Sequence, residues 1–240
     1  MSEGFNHYIF LDIETVPQGK QLLDIDDAAQ LLWEEKEGRK RDECMSAAEF
    51  YFSRAGILAE FGKIICISIG YFRNENGEEI FRVKSCYGHD EKAVLQEFFE
   101  VLEGFARKVN NVVICGHNIK EFDIPYICRR SIINHLHLPV ILCELQSKKP
   151  WEIPLEDTMQ LWKFGDYKNY TSLKLLAHVL GIPSPKEDID GSRVASVYWH
   201  EDGLERIKHY CQKDVFTTAQ VFLRLKMQPP VRPENVVYLS

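Results

Sequence analysis

The 240-residue chain predicts an α/β fold with a mixed central sheet flanked by helices, and three observations carry this. It opens with a short apolar run, HYIFLDI at 7–13, of strand length. Two strand-like runs at 63–72 and 79–87 are then joined by the turn residues NENG. From there on, short apolar runs alternate with longer segments of helical periodicity, a pattern that wraps helices around a sheet containing both parallel and antiparallel pairs.

Taken in order, residues 7–13 read as a buried first strand. Residues 18–60 differ in character: apolar positions recur at helical spacing among many charges, predicting two or three surface helices inserted after that strand. KIICISIGYF at 63–72 and EIFRVKSCY at 79–87 form an antiparallel hairpin about NENG. Asp90 is placed as the N-cap of a helix running to about Arg107, with Ala93, Val94, Phe98, Val101 and Leu102 on its apolar face. VVIC at 112–115 is a short buried strand, followed by a helix from about Glu121 to Asn134. A strand at 138–143 and a segment at 155–162 come next. A helix at 171–180 is stopped by Gly181 and Pro183, and the last helix runs from near Asp202 to about Lys226. With no repeat and no low-complexity linker, 1–240 is expected to be a single domain with a helical insertion at about 18–60.

Composition narrows the function classes. No apolar run approaches the ~18 residues a membrane span needs, and the N-terminus lacks a basic segment followed by an apolar one. The seven cysteines are scattered, odd in number and without a C-x-x-C pair, which argues against a disulfide framework or a structural zinc site. A reducing cytoplasm is the expected location. A net charge of −7 disfavours a protein that coats duplex DNA, because phosphate binding is driven by Lys and Arg. It weighs less against a nuclease, whose metal-holding carboxylates are neutralised once cations bind.

Three short constellations carry chemistry. Asp12-Ile13-Glu14 closes the first strand, and residues two apart in a strand face the same side, so both carboxylates point to one spot. Such neighbours repel unless a cation lies between them, and a divalent metal with oxygen ligands is the usual solution. A D-x-E triplet arises about once by chance in a chain of this length, and two solvated acids at a strand end are the plain alternative. Asn118 to Asp123 follow the strand VVIC: Asn118 can fix the turn, Phe122 can join the core or stack a base, and Asp123 can be an ordinary first-turn acid. In the final helix Tyr210 and Asp214 stand four apart and share a face. Weaker candidates are Asp157, as a supporting acid or an N-cap, and Asp188 and Asp190, as substrate-end acids or caps. Lys63, Lys163, Lys168 and Lys174 could meet phosphates or simply be solvated.

In order and separation, Asp12/Glu14, Asn118 to Asp123 and Tyr210/Asp214 resemble the three exonuclease motifs of the DEDD superfamily. The segments FGKIICISIGY, LEDTMQLW, SLKLLAHVLGIPSPKEDIDGS and IKHYCQKDVFTTAQVF resemble more closely the stand-alone exonucleases related to the proofreading domain of family B DNA polymerases. That resemblance covers about 7–16 and 60–228, and it implies a ribonuclease-H-like fold and a 3′→5′ exonuclease. It also implies two Mg²⁺ or Mn²⁺ ions, with Asp12, Glu14 and Asp214 holding one, and Asp12 and Asp123 the other. Ions ~3.5–4 Å apart stabilise the attacking and leaving oxygens of an in-line displacement. Tyr210 would orient the attacking water, Asn118, Phe122 and Thr15 would meet the substrate, and the product would be a nucleoside 5′-monophosphate. The expected partner is the 3′ end of a single-stranded nucleic acid, DNA favoured over RNA, with no membrane.

The superfamily divides by whether Tyr stands three residues inside the last Asp or His four residues inside it, and His209 and Tyr210 satisfy both counts. On a regular helix four positions turn ~40° from the Asp and five turn ~140°, which favours Tyr210. An RNA-directed exonuclease and a non-catalytic binding module remain as alternatives. A haloacid-dehalogenase-type phosphatase would need a second Asp at position 14 and a later acidic pair that Gly165 to Tyr170 lacks. The insertion leaves the strand beside Glu14, so it could act as a lid that selects single-stranded ends or as a surface for a protein partner.

Overall fold

The computed structural model describes residues 4–75, 77–149, 152–166, 170–183 and 189–239. Its centre is β1, Tyr8–Pro17, in a six-stranded mixed sheet. β2 (Gly62–Glu75) and β3 (Glu78–Tyr87) form the expected antiparallel hairpin, with β2 also antiparallel to β1. On the other side, β4 (Val113–Gly116) runs parallel to β1, and β5 (Leu155–Asp157) parallel to β4. A short β6, Val236–Tyr238, closes the far edge parallel to β3. The three parallel strands β1, β4 and β5 therefore end on the same side of the sheet.

Alternation along β1 sorts its side chains into two layers. Ile9, Leu11 and Ile13 join a core with α3 (Glu91–Ala106) and α4 (Asp123–Ile133), which contribute Val94, Phe98, Ile124 and Ile127. Phe10 faces the opposite layer, among Val215, Ala219 and Phe222 of the long helix α9, Leu204–Leu225. Helix α9 comes close to the sheet because β2 carries a glycine there. A Cβ on Gly70 would lie 2.3 Å from the Phe81 ring and 2.8 Å from Val215, so any larger residue would push the helix away. A second helix, α8 (Val194–Glu201), packs Val194 and Val197 against Val16 and Ile65.

A buried ion pair ties the α3/α4 layer to the sheet. Glu91 accepts from the Ile64 amide at 2.7 Å and from Arg130 Nε and Nη2 at 2.8 and 2.6 Å, while Arg130 Nη1 donates to the Ala59 carbonyl at 2.8 Å. With every polar group matched, removing either partner alone costs about 3–5 kcal/mol, because the other charge is left buried and uncompensated.

The insertion folds as α1 (Asp27–Glu37) and α2 (Ala47–Arg54), joined by 3₁₀ turns, around a core of its own. Trp33 and Tyr51 are fully buried in it, and the Tyr126 phenol of α4 donates to the Gly56 carbonyl at 2.8 Å, fastening it to the body.

Asp90 caps α3 as expected, accepting from the amides of Lys92 and Ala93. Residues 138–143 are not a strand. Pro139 presents its carbonyl to the amides of Leu142 and Cys143, both at 2.9 Å, and the apolar run coils into a short helix, α5 (Val140–Cys143). Three helices follow on the described stretches: α6 (Thr158–Lys163), α7 (Leu173–Val179) and the unforeseen α8. Among the described residues, no helix is long and apolar enough to cross a membrane.

Candidate active site

The expected carboxylates meet at the middle of β1, which does not close at Asp12-Ile13-Glu14 as the sequence suggested but continues to Pro17, because Thr15, Val16 and Pro17 still pair with β2. Asp12 and Glu14 both project towards α9, and a β-bulge after Glu14 bends the strand just beyond them. Bulges re-aim side chains at such positions. Glu14 is buried, with 6% of its surface exposed, and Asp12 is half-buried. Asp123 arrives from the opposite layer, as the first residue of α4. It is 4% exposed, and its Oδ1 accepts the Ile13 amide of β1 at 3.2 Å, a contact that spans 110 residues of sequence.

Asp214 comes from α9. It is close enough that its charge raises the pKa values of both Asp12 and Glu14. The Tyr210 phenol donates to Asp214 as the four-residue spacing requires, and its own pKa is pushed well above the ordinary range by burial and then by Asp214, Glu14 and Asp12. His209 points elsewhere, exposed and 3.2 Å from the Gln212 side chain.

The loop between β4 and α4 is held by Asp157, the last residue of β5. Its carboxylate caps α6 by accepting from the amides of Met159 (2.9 Å) and Gln160 (3.4 Å), and reaches across to the amides of Asn118 (3.0 Å) and Lys120 (3.3 Å). Both readings of Asp157 thus hold in one side chain: it is a cap, and it supports the loop that delivers Asp123. Asn118 sits at φ +63°, a left-handed conformation that Asn tolerates better than most residues. Its buried Oδ1 has no hydrogen-bond partner among the described residues.

The family described as "Predicted 3'-5' exonuclease related to the exonuclease domain of PolB" matches residues 57–231. The chain belongs to that family. Asp123, Tyr210 and Asp214 lie inside the matched stretch, and Asp12 and Glu14 precede it. Among solved structures, the family B DNA polymerase from the hyperthermophilic archaeon Pyrobaculum calidifontis is similar to this chain with a TM-score of 0.53 at 14% identity. The match covers 92% of this chain and 24% of the polymerase, so this exonuclease-family chain spans about a quarter of that protein. At that identity the likeness concerns the fold, which is the ribonuclease-H-like fold of the PolB exonuclease domain. No curated protein matches the chain in sequence.

The electrostatics of this exonuclease-family site are those of acids pressed together. The Asp12 and Glu14 pKa values are both raised well above the usual carboxylate range, first by burial and then by negative charge, that of Asp214 and Asp123 on Asp12 and that of Asp12 and Asp214 on Glu14. Asp123 is pushed up to about 7, mainly by burial, against the opposing pull of backbone hydrogen bonds. Two thiols, Cys211 and Cys66, also face these groups. Ligand atoms of Asp12, Glu14 and Cys211 all lie within 4.8 Å of one another. Carboxylates crowded at this spacing fit a divalent cation, which would replace their mutual repulsion with attraction.

Three residues of this neighbourhood went unnoticed in the sequence. Cys211 is buried, its Sγ 3.4 Å from both the Asp12 carbonyl and Asp12 Oδ2. Its place three residues before Asp214 on α9 was the available sign. His117 is held by Thr158 and by the Thr171 carbonyl, and Tyr170 comes with that loop. Of the weaker candidates, Lys63 is engaged: its Nζ donates to the Tyr198 hydroxyl at 3.1 Å and lies 5.0 Å from the Trp199 ring centroid. Asp190 caps a 3₁₀ turn before α8, and Thr15, just past the bulge, meets the Tyr126 phenol. Lys168 and Asp188 lie outside the described residues.

Proposed function

We propose that this chain is a divalent-cation-dependent 3′→5′ exonuclease that removes nucleoside 5′-monophosphates from the 3′ end of single-stranded DNA. The observation that supports it most is the meeting of Asp12, Glu14, Asp123 and Asp214, from β1, α4 and α9, with a tyrosine hydrogen-bonded to the last of them. Asp12, Glu14 and Asp214 would hold one Mg²⁺ or Mn²⁺, and Asp12 with Asp123 a second. Such ions, when bound, neutralise charge on the phosphate and acidify the attacking water.

The chain's own residues orient the reactants. The Tyr210 phenol keeps its proton, because burial and three carboxylates oppose its ionisation. Donating that proton to Asp214 leaves its oxygen free to accept a hydrogen bond from the attacking water. Asn118 Oδ1, buried and without a hydrogen-bond donor among the described residues, would accept from the terminal 3′-hydroxyl once the substrate opens a path to it. Phe122 is half-buried against Tyr126, with ring centroids 5.4 Å apart, and the part of its ring left exposed would meet a base. The net charge of −7 favours short single-stranded ends over long duplex.

The test is incubation of 5′-labelled single-stranded DNA and matching RNA with EDTA, Mg²⁺ or Mn²⁺. Expected is a ladder shortening from the 3′ end with metal only, abolished in Asp12→Ala and slowed at least tenfold in Tyr210→Phe. His209→Ala should cut like the unaltered protein. Absence of cleavage with any metal would overturn the enzymatic reading in favour of a binding platform.

A further inference from the structure

One feature beside this site has no part in the reaction as described. Tyr170 exposes 69% of its surface, while its phenol pKa is raised first by partial burial and then by the charge of Asp123. An exposed aromatic ring keeps an apolar face available for stacking. Its position is fixed by a latch. The next residue's carbonyl, Thr171 O, lies 2.8 Å from His117 Nε2, and Ser172 caps α7 by accepting from the Leu175 amide. A carbonyl can only accept, so Nε2 carries the proton, while Nδ1 lies 2.9 Å from the Thr158 hydroxyl, which also reaches the Gly116 carbonyl at 3.2 Å. Burial keeps this imidazole from charging, lowering its pKa below the ordinary value. His117 in turn directly precedes Asn118. One buried ring thus sets the Tyr170 loop against the loop that carries Asn118 and Asp123.

We propose that Tyr170 is a substrate-binding residue, a ring that stacks on the unpaired base at the 3′ end, its loop tied to the Asn118–Asp123 loop by His117 as a positioning residue. This rests on the exonuclease reading above and adds a specificity element to it. The last base of a duplex is held by its pairing partner and by its one stacked neighbour, so a stacking ring that needs the base turned towards it selects ends whose last base is unpaired. The phenol takes no part in bond breaking.

The experiment measures binding by fluorescence anisotropy, with Ca²⁺ in place of Mg²⁺ and a short 5′-fluorescein-labelled oligothymidylate as the probe. The probe has either a normal or an abasic 3′-terminal residue. Tyr170→Ala should weaken binding of the normal strand about tenfold and leave the abasic-ended strand unchanged, while Tyr170→Phe should stay within about twofold of the parent. His117→Ala should reproduce much of the loss, and the His117→Ala/Tyr170→Ala double variant should be no weaker than Tyr170→Ala, because the two act in series. Equal loss on both strands, or none on either, would overturn the stacking role. Additive losses in the double variant would overturn the latch. Melting curves exclude simple unfolding. Failure of the unaltered protein to bind or shorten either strand would instead remove the exonuclease reading, and is seen before any variant is made.

Discussion

Replacing Asp123 with asparagine separates charge from hydrogen bonding at the point where α4 meets β1. The asparagine carbonyl can still accept the Ile13 amide that Asp123 Oδ1 accepts at 3.2 Å, so the local geometry is kept while the buried charge is lost. In the metal-free protein, burial lifts the Asp123 pKa from 3.8 to about 7, so the folded state binds more protons than the unfolded state between those values. Stability from this group is therefore fully present below pH 3.8 and is lost as pH rises through about 7. At about 1.36 kcal/mol per pKa unit, the ceiling on that loss is about 4 kcal/mol. Melting the parent and Asp123→Asn in EDTA from pH 5 to 9 should show the parent falling steeply and the variant falling less. At pH 8 the variant should be the more stable by ~2–4 kcal/mol. Adding Mn²⁺ should stabilise the parent far more than the variant, and most at high pH. A variant less stable than the parent at pH 8 in EDTA, or parallel pH curves, would refute the account of Asp123 as a charge held ready for a cation.

Asp157→Ala strips a shared acceptor from four backbone amides, two in α6 and two in the Asn118 loop, and should cost ~3 kcal/mol in chemical denaturation. It should also depress nuclease activity by loosening the loop that delivers Asp123, and Asp157→Asn should recover part of both. Cys211→Ala removes the thiol 3.4 Å from Asp12 Oδ2 and leaves a small void, for an expected loss of ~1–2 kcal/mol by thermal melting. If Cys211 also ligates the cation, the same variant will weaken Mn²⁺ binding in calorimetric titration; unchanged affinity limits it to packing. Deleting 24–54 removes Trp33 and Tyr51 and so the insertion's own core, but spares Gly56, where Tyr126 anchors it. If the insertion is a lid, the shortened protein will change its preference between single-stranded and recessed ends, and an unaltered preference on every substrate would sink that idea.

What could be read in the chain were features set by short-range periodicity. Asp12 and Glu14 share a face because strand side chains alternate, and Tyr210 and Asp214 share one because helix positions four apart nearly coincide. The hairpin about residues 73–78 and the cap at Asp90 were equally local. Short apolar runs were not decidable in this way: ILC at 141–143 suits a strand or a buried helix turn, and Pro139 with its accepting carbonyl settled it as a helix. Strand β6 is three residues long and exists only because β3 offers an unpaired edge. The site itself divides along the same line. The acids proposed for it could be named from motif and order, but Asp123 approaches the others through a hydrogen bond to a strand 110 residues away, a closure that no local pattern encodes. Cys211, His117 and Tyr170 are of unremarked types in unremarked places, and their positions depend on contacts distant in sequence: Cys211 with Asp12, and His117 with Thr171, the residue after Tyr170. Periodicity dictates which way a side chain leaves its own element, whereas the packing of α4 and α9 on opposite faces of one sheet decides what it meets there.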